Sequence, residues 1–206
     1  MNLREIRDFT RIVANEFDTA RFTDARLNDW VNKGYLRIAR YAESLGKTTS
    51  FTWPRDTRTH ALPFDYLPGT WVSLSFVDDG REVELDFLNF FQMRRYLSNN
   101  DLANPAWWSI FEGRLWIHPR PDQNRSMRFR HKKRPIDLRA DTDVPEIEES
   151  LHEAPAYYAA YIISKMNRDH EDAALYLADF QELVSLAQQI TLREDDTRMI
   201  YEFEDY

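Results

Sequence analysis

The order in which periodic segments follow one another is the feature that most restricts the fold of this 206-residue chain. Two segments near the start and two near the end repeat apolar residues at the spacing of amphipathic helices. Between them, residues 47–143 consist mainly of short runs that alternate apolar and polar residues, which is typical of half-buried strands. This order predicts an α+β protein in which a β-rich region is inserted between two pairs of helices.

The two N-terminal helices carry clear boundary signals. The first is predicted over residues 3–17, where apolar residues mark one face. The second begins after Thr23, a residue type that caps helix N-termini well. Phe22 and Leu27 are placed to form a hydrophobic staple around this cap. Gly46 is the predicted stop of the second helix.

The two C-terminal helices have boundary signals of their own. Proline is tolerated in the first turn of a helix, so Pro155 is placed at the start of a helix in the segment PAYYAAYIISKMN. The last helix begins after Asp169, its predicted N-cap. Five of its apolar residues alternate four and three residues apart, which favours antiparallel packing in a bundle. These residues are Ala173, Leu177, Phe180, Val184 and Ala187.

Together these signals predict a four-helix bundle with an inserted antiparallel β-rich region and an extended tail. Residues 1–46 and 145–194 supply the bundle, and residues 47–144 supply the β-rich region. After Leu192 the apolar spacing ends and acidic residues accumulate, so residues 195–206 are predicted to be an extended docking tail. The apolar and aromatic residues predicted to make its contacts are Met199, Ile200, Tyr201, Phe203 and Tyr206.

The β-rich region is predicted to contain three hairpins, a short helix and a final strand. The short helix is expected in LNFFQMRRYL, and the final strand in SMRFRHKK. In that strand, alternation places Met127, Phe129 and His131 on one side and the neighbouring cations on the other. The hairpins pair residues 48–53 with 57–62, residues 70–77 with 81–87, and residues 107–111 with 114–119.

The formal net charge of −8 hides a segregation of charge along the chain. Residues 114–139 contain nine Lys or Arg and two Asp, whereas residues 141–206 contain 17 Asp or Glu and four Lys or Arg. Such asymmetry indicates that the two regions face different partners. In a ring of identical subunits, a basic surface on one copy can meet an acidic surface on the next. The cations predicted at such an interface are Arg128, Arg130, Lys132 and Lys133.

The basic strand also permits a different function, a nucleic-acid-binding module built on residues 125–134. Interleaved aromatic and basic residues can stack bases and neutralise phosphates. One Phe is a small stacking platform, however, and the whole chain is acidic. We therefore favour a subunit interface over direct nucleic-acid recognition.

Catalytic and metal-binding motifs are not evident in the sequence. The chain has no cysteine, which excludes disulfides and thiolate metal sites. Its five histidines are scattered, and none forms the His-x-x-x-His pair of a helical zinc site. With five glycines in all, it lacks a phosphate-cradling loop. We expect a protein without enzyme activity, metal or cofactor, and without a membrane span.

Four consecutive segments match the motifs of one protein family. In the second helix the matching residues are Phe22, Thr23, Asp24, Leu27, Trp30, Val31 and Asn32. In LPFDYLP they are Leu62, Pro63, Asp65, Tyr66 and Leu67. In the third hairpin they are Pro105, Trp108, Ser109, Ile110, Gly113, Leu115, Ile117, Pro119 and Pro121. The helix in VPEIEESLHEAPAYYAAYIIS follows, with Pro155 as a departure. From Leu3 to about Leu192, the chain resembles the head-to-tail adaptor (head completion or connector) proteins of tailed bacteriophages.

The resemblance implies a mechanical function. About twelve copies would form a ring beneath the portal protein, extend the DNA channel and dock a tail or nozzle protein. Genomic DNA would pass through without sequence-specific binding. The implied location is the head–tail interface of the virion, with the host cytoplasm as the site of assembly. We expect the free protein to be monomeric or weakly associated and to form its ring on the portal.

Overall fold

A computed structural model describes residues 1–99 and 101–203, with the backbone alone for Glu43 and residues 190–203. The chain divides into two compact units. The helical unit comprises residues 1–45 together with the residues from 134 onward, and the β unit comprises residues 46–133.

The described residues contain five α-helices and ten strands. The helices are α1 (Leu3–Val13), α2 (Asp24–Ile38), α3 (Phe90–Met93), α4 (Ala154–Asn167) and α5 (His170–Phe203), with short 3-10 helices at Glu43–Leu45 and Glu149–Leu151. The strands are β1 (Gly46–Trp53), β2 (Thr59–Ala61), β3 (Tyr66–Asp78), β4 (Arg81–Glu84), β5 (Asp86–Phe87), β6 (Leu102–Ala103), β7 (Trp107–Phe111), β8 (Arg114–His118), β9 (Arg120–Pro121) and β10 (Arg125–Lys133).

The predicted start of α2 is confirmed. The Thr23 hydroxyl accepts a hydrogen bond from the Arg26 backbone N–H at 3.4 Å. Phe22 and Leu27 are buried in one cluster with Ile163 of α4, as the staple requires.

The predicted ends of the first two helices are wrong. α1 ends at Val13 rather than at residue 17, since Asn15 adopts a φ of 47°, outside the right-handed helical region. α2 ends at Ile38, and Gly46, the predicted stop, is the first residue of β1. The apolar spacing continues past Ile38 through a 3-10 helix to the buried Leu45, so spacing alone overran the helix end.

α4 is the central helix of the helical unit. It contacts α1, α2 and α5, and its buried residues occupy more than one side. A helix that is apolar on several sides is stable only when other elements surround it. Its buried residues are Ala154, Pro155, Ala156, Tyr158, Ala159, Ala160, Ile163 and Ser164.

The predicted four-helix bundle is therefore wrong. Such a bundle places each helix between two neighbours around a shared axis. In the described part of the chain three helices are arranged around α4, and no four-helix bundle is evident. The fold class is α+β with five helices and a sizeable antiparallel sheet.

The predicted extended tail is also wrong. The backbone of α5 is helical from His170 to Phe203, well beyond Leu192. Residues 191–203 contain neither proline nor glycine, so nothing in this segment breaks the helical hydrogen-bond pattern. The charged composition that suggested an extended peptide is compatible with a helix.

The β unit contains two four-stranded sheets. Sheet 1 has the strand order β1-β10-β3-β4, and sheet 2 has the order β2-β8-β7-β5. A separate pair joins β6 to β9, and this pair and β5–β7 are parallel, whereas the other pairs are antiparallel. Side chains of both sheets form one core, which contains Trp53, Leu74, Phe76, Leu85, Trp108, Leu115, Ile117, Met127 and Phe129.

Two of the three predicted hairpins are confirmed. β3 pairs with β4 across Gly80, and β7 pairs with β8 across Gly113, and both glycines have positive φ. The first predicted hairpin is wrong, because β1 pairs with β10 and β2 pairs with β8. Alternation determines which side of a strand is buried but does not determine its partner.

A short helix covers the outer side of sheet 2, as predicted for LNFFQMRRYL. The Phe90 ring of α3 stacks on Phe111 at 3.9 Å between centroids. Tyr96, just after α3, stacks on Trp107 at 5.2 Å. The Phe91 ring lies edge to face with Phe90 at 6.5 Å between centroids and is 72% exposed.

Candidate assembly surfaces

The predicted alternation of β10 is confirmed. Met127, Phe129 and His131 are buried, and Arg128 and Arg130 between them are exposed. Because β10 lies inside sheet 1 between β1 and β3, its exposed side chains stand on the outer surface of that sheet. We use the name basic face for the cations of this strand, with Arg128 and Arg130 on the outer surface and Lys132 and Lys133 following at its end.

Arg128 and Arg130 share one carboxylate. An Arg128 guanidinium nitrogen lies 3.0 Å from Glu82 Oε2, and one of Arg130 lies 3.0 Å from Glu82 Oε1. Glu82 belongs to β4, two strands away from β10. The arginines reach it across β3, where the small side chains of Ser73 and Ser75 stand opposite them.

The environment of Glu82 keeps this carboxylate charged. The Ser75 hydroxyl donates a hydrogen bond to Glu82 Oε1 at 2.5 Å. This bond, and then the positive charges of Arg130 and Arg128, lower the pKa of Glu82 below its ordinary value. One carboxylate thus offsets the charge of only one of two arginines, and both are half-exposed. Because exposed ion pairs contribute about 0–1 kcal/mol, the cluster organises two cations more than it stabilises the fold.

Lys132 and Lys133 lie at the end of β10 and are half-buried. Lys132 stands opposite Gly46 of β1, and Lys133 opposite Tyr66 of β3. Before them, His131 is buried, with its Nε2 3.1 Å from the Thr49 hydroxyl. Burial lowers the pKa of His131, which favours its neutral form.

Arg125 shows that the basic segment is not uniformly exposed. Its side chain is buried, with nitrogens 2.7 Å from Asp78 and 3.0 Å from Asp122, and its guanidinium lies 5.2 Å from the centre of the Phe76 ring. Arg125 therefore supports the fold rather than a partner. The sequence contained a signal for the burial of Arg125, because it lies two residues before the buried Met127 and so on the same side of the strand. The sequence contained no signal for the contact of Glu82 with Arg128 and Arg130, because that contact depends on the order of the strands in the sheet.

The predicted contact residues of the C-terminal segment lie at the end of α5 or beyond it. Met199, Ile200, Tyr201 and Phe203 lie on the helical backbone of α5, and their side chains are outside the described residues. Tyr206 lies outside the described residues altogether. The structure thus brings Arg128 and Arg130 together around Glu82 and places Lys132 and Lys133 at the end of the same strand, whereas the tail contacts stay predictions.

The described residues show neither a metal site nor a membrane span. Within them, no group of three or more His, Asp or Glu side chains is arranged to hold a metal ion. No described helix combines the length and apolar content needed to cross a bilayer.

The decisive observation comes from comparison with known families. The sequence model described as SU10 adaptor protein matches residues 1–200. The chain belongs to this family. No curated protein matches the chain. Membership confirms the resemblance to phage head-to-tail adaptors that the four motif segments indicated.

Membership in the SU10 adaptor family establishes the broad class of function. The family consists of structural phage proteins, so the chain is a structural adaptor and a component of the virion. Adaptors of this kind interact with portal and tail components.

Proposed function

We propose that about twelve copies of this chain form a closed ring beneath the portal protein, extend the DNA channel and dock a tail or nozzle protein. The observation that carries this proposal is the family match over residues 1–200. The free protein is monomeric or weakly associated in the host cytoplasm, and its ring forms on the portal.

The distribution of charge supports contacts between unlike surfaces. The helical unit contains 14 Lys or Arg and 25 Asp or Glu, a net charge of −11, whereas the β unit contains 13 and 10, a net charge of +3. A closed ring is built from one contact between two different surfaces of each copy. In our proposal the basic face contacts an acidic surface of a neighbouring subunit or ring partner.

The C-terminal segment is the proposed portal contact. Residues 195–206 crowd acidic and aromatic residues together, and Tyr and other large apolar side chains dominate binding energies at interfaces. Because about a dozen copies would be linked in one ring, the ring would bind the portal with a much higher affinity than one copy does. The proposed contacts are made by Met199, Ile200, Tyr201, Phe203 and Tyr206.

Genomic DNA is proposed to pass through the ring without sequence-specific binding. The net charge of −8 supports this, because an acidic protein offers few contacts that neutralise phosphates.

The alternative, a nucleic-acid-binding module on residues 125–134, is less well supported. Base stacking would need an exposed aromatic ring on the basic face. Phe129, the aromatic residue of that strand, is fully buried on the opposite side. Arg128 and Arg130 also share Glu82, which reduces the positive charge available to phosphates.

The proposal is tested by mixing the purified protein with the portal protein of the same phage. Light scattering should show a monomer or a weakly associated species for the free protein. Electron microscopy of the mixture should show a ring of about twelve copies on the portal. A stable ring without portal, or no binding to portal, would contradict the proposal. Tight DNA binding that falls steeply with salt would support the nucleic-acid alternative instead.

A further inference from the structure

Phe64 is the most exposed large apolar residue in the described part of the chain. It lies in the turn between β2 and β3, and its side chain is 100% exposed. Single exposed apolar residues are common on protein surfaces and need no explanation by themselves. The surroundings of Phe64 distinguish it from that ordinary case.

The turn that carries Phe64 is braced on both sides. The Tyr66 backbone N–H donates to the Pro63 carbonyl at 3.0 Å, which closes the turn. Asp65, next to Phe64, forms an ion pair with Lys47 of β1 at 2.6 Å. The Tyr66 ring packs 5.7 Å from the ring of Phe129, and its hydroxyl accepts a hydrogen bond from the Gly69 N–H. Because these contacts fix the backbone of the turn, little backbone freedom is lost when the exposed Phe64 ring binds a partner.

Positive charge lies beside this turn. Lys133 stands opposite Tyr66 in the sheet, and Tyr66 is two residues after Phe64 in the chain. Lys132 stands opposite Gly46, the residue before Lys47. The end of the basic face and the Phe64 turn therefore occupy the same end of sheet 1. A partner that suits them has an apolar surface with acidic residues around it.

The helical unit carries a surface of this chemistry. Ile12 and Phe17, near the end of α1, are each 64% exposed. The Tyr176 hydroxyl donates to the Val13 carbonyl at 2.7 Å, which holds the start of α5 against the end of α1. Burial, and then the negative charges of Asp172 and Asp169, raise the pKa of the Tyr176 hydroxyl, so these acids lie near this contact. Leu175 and Glu171 on the same helix and Asp18 next to Phe17 are also exposed.

We propose that Phe64 of one copy docks on this acidic, apolar surface of the helical unit of a second copy. The proposal rests on the ring proposed above and names one contact within it. Charge complementarity selects this occupant, because the helical unit has a net charge of −11 and the β unit a net charge of +3. The contact joins two different surfaces, as ring closure requires.

The first test is ring assembly with Phe64→Ser, using Phe91→Ser as the matched control. Phe91 is 72% exposed on α3 of the same unit and makes no part of the proposed contact. Each variant is titrated onto the portal protein beside the unchanged chain. We expect Phe64→Ser to raise the concentration for half-maximal assembly at least tenfold, and Phe91→Ser to leave it unchanged. Both variants should keep the melting temperature, since neither side chain is buried.

The outcomes separate this contact from the ring itself. If the unchanged chain forms no ring, the proposed function fails and this contact fails with it. If the unchanged chain forms a ring and Phe64→Ser assembles equally well, only the Phe64 contact is overturned.

A second test identifies the occupant directly. The chain has no cysteine, so Phe64→Cys offers one attachment point for a photoreactive benzophenone maleimide. Copies without benzophenone are grown in ¹⁵N medium, so that a cross-link between two copies can be distinguished by mass from one within a copy. In assembled rings we expect links to residues 8–18 or 168–176 of the ¹⁵N copy. Links confined to the portal, to a tail protein or to the β unit of a second copy would overturn the proposal.

Discussion

Gly34 allows α2 and α4 to approach each other closely. A Cβ added there would lie 2.8 Å from the Tyr158 Cβ and 3.0 Å from the Pro155 Cα. These atoms cannot move aside as a flexible chain end could. We expect Gly34→Ala to lower the free energy of unfolding by about 1–2 kcal/mol, because overpacking outweighs the better helix propensity of alanine.

Urea denaturation measures this effect, and Lys33→Ala on the exposed side of α2 is the control. The control should change stability by about 0.5 kcal/mol or less. An unchanged or higher stability of Gly34→Ala would show that α2 and α4 can separate at no cost.

His131 makes stability depend on pH. Burial lowers its pKa from the ordinary 6.5, so the unfolded chain takes up a proton before the folded chain does. The contribution of His131 to the free energy of unfolding should be complete above pH 6.5, fall as the pH drops towards the lowered pKa, and change no further below it. The slope per group is at most about 1.4 kcal/mol per pH unit.

His118 and His152 are also buried, and burial lowers their pKa values in the same direction. His131→Gln should therefore flatten the pH profile in part. The measurement is urea denaturation between pH 7.5 and the acid limit of solubility. Identical slopes for variant and unchanged chain would contradict a role for His131.

At this scale, sequence pattern predicted what depends on neighbours along the chain. The burial of Met127, Phe129 and His131 follows from the two-residue period of one strand. The pairing of Arg128 with Glu82 could not be predicted, because 46 positions separate them and only the strand order brings them together.

At the scale of elements, Asp24 links α1 to α2. Its Oδ1 lies 2.9 Å from Arg11 and 3.5 Å from Arg7, and both arginine side chains are buried. Asp24→Asn would leave two buried guanidinium groups with less compensation. We expect a loss of about 1–3 kcal/mol in unfolding free energy.

Asp8→Asn provides the matched control for Asp24→Asn. Asp8 pairs with Arg4 at 3.8 Å within α1, and both side chains are exposed. Such a pair contributes about 0.3–0.5 kcal/mol, so the control should have a small effect in thermal or urea denaturation. An equal loss of stability in the two variants would show that Asp24 contributes no more than an exposed ion pair.

The elements themselves were predicted better than their arrangement. Thr23 and Asp169 cap α2 and α5 as expected, the latter accepting a bond from the Asp172 N–H at 3.1 Å. The predicted seam of α5 is also its packed side. The bundle was wrong because helix spacing shows that one side is buried, whereas the burial of several sides of α4 depends on contacts with three helices.

At the scale of the whole molecule, the basic face should matter for assembly. We expect the double variant Arg128→Glu and Arg130→Glu to impair ring formation on the portal, more strongly at low salt, where exposed charges interact over longer distances. The double variant Arg94→Glu and Arg95→Glu makes the same charge change elsewhere on the exposed surface of the β unit.

The two double variants are compared by ring formation at two salt concentrations, with melting temperatures as a test of folding. A milder pair, Arg128→Gln and Arg130→Gln, avoids adding acids beside Glu82 and should give a smaller defect of the same kind. Equal impairment by the Arg94 and Arg95 variant would indicate a general charge effect and contradict a specific contact.

The C-terminal segment should separate stability from docking. The last buried residue of the α5 seam in the described side chains is Ala187, eight positions before residue 195. Deletion of residues 195–206 is therefore expected to leave the melting temperature unchanged and to abolish binding to the portal. Truncation of one aromatic anchor at an interface costs roughly 2 kcal/mol or more, and a ring multiplies the loss.

Two full-length variants identify whether aromatic or acidic side chains of the C-terminal segment bind the portal. One replaces Tyr201, Phe203 and Tyr206 with Ser and keeps every acid, and the other replaces Glu202, Glu204 and Asp205 with Gln or Asn and keeps every ring. If aromatic anchors make the contact, the first variant behaves like the deletion, whereas the second still binds. Portal binding that survives the deletion would show that the docking element lies elsewhere. A loss of binding in the acid variant alone would assign the contact to charge.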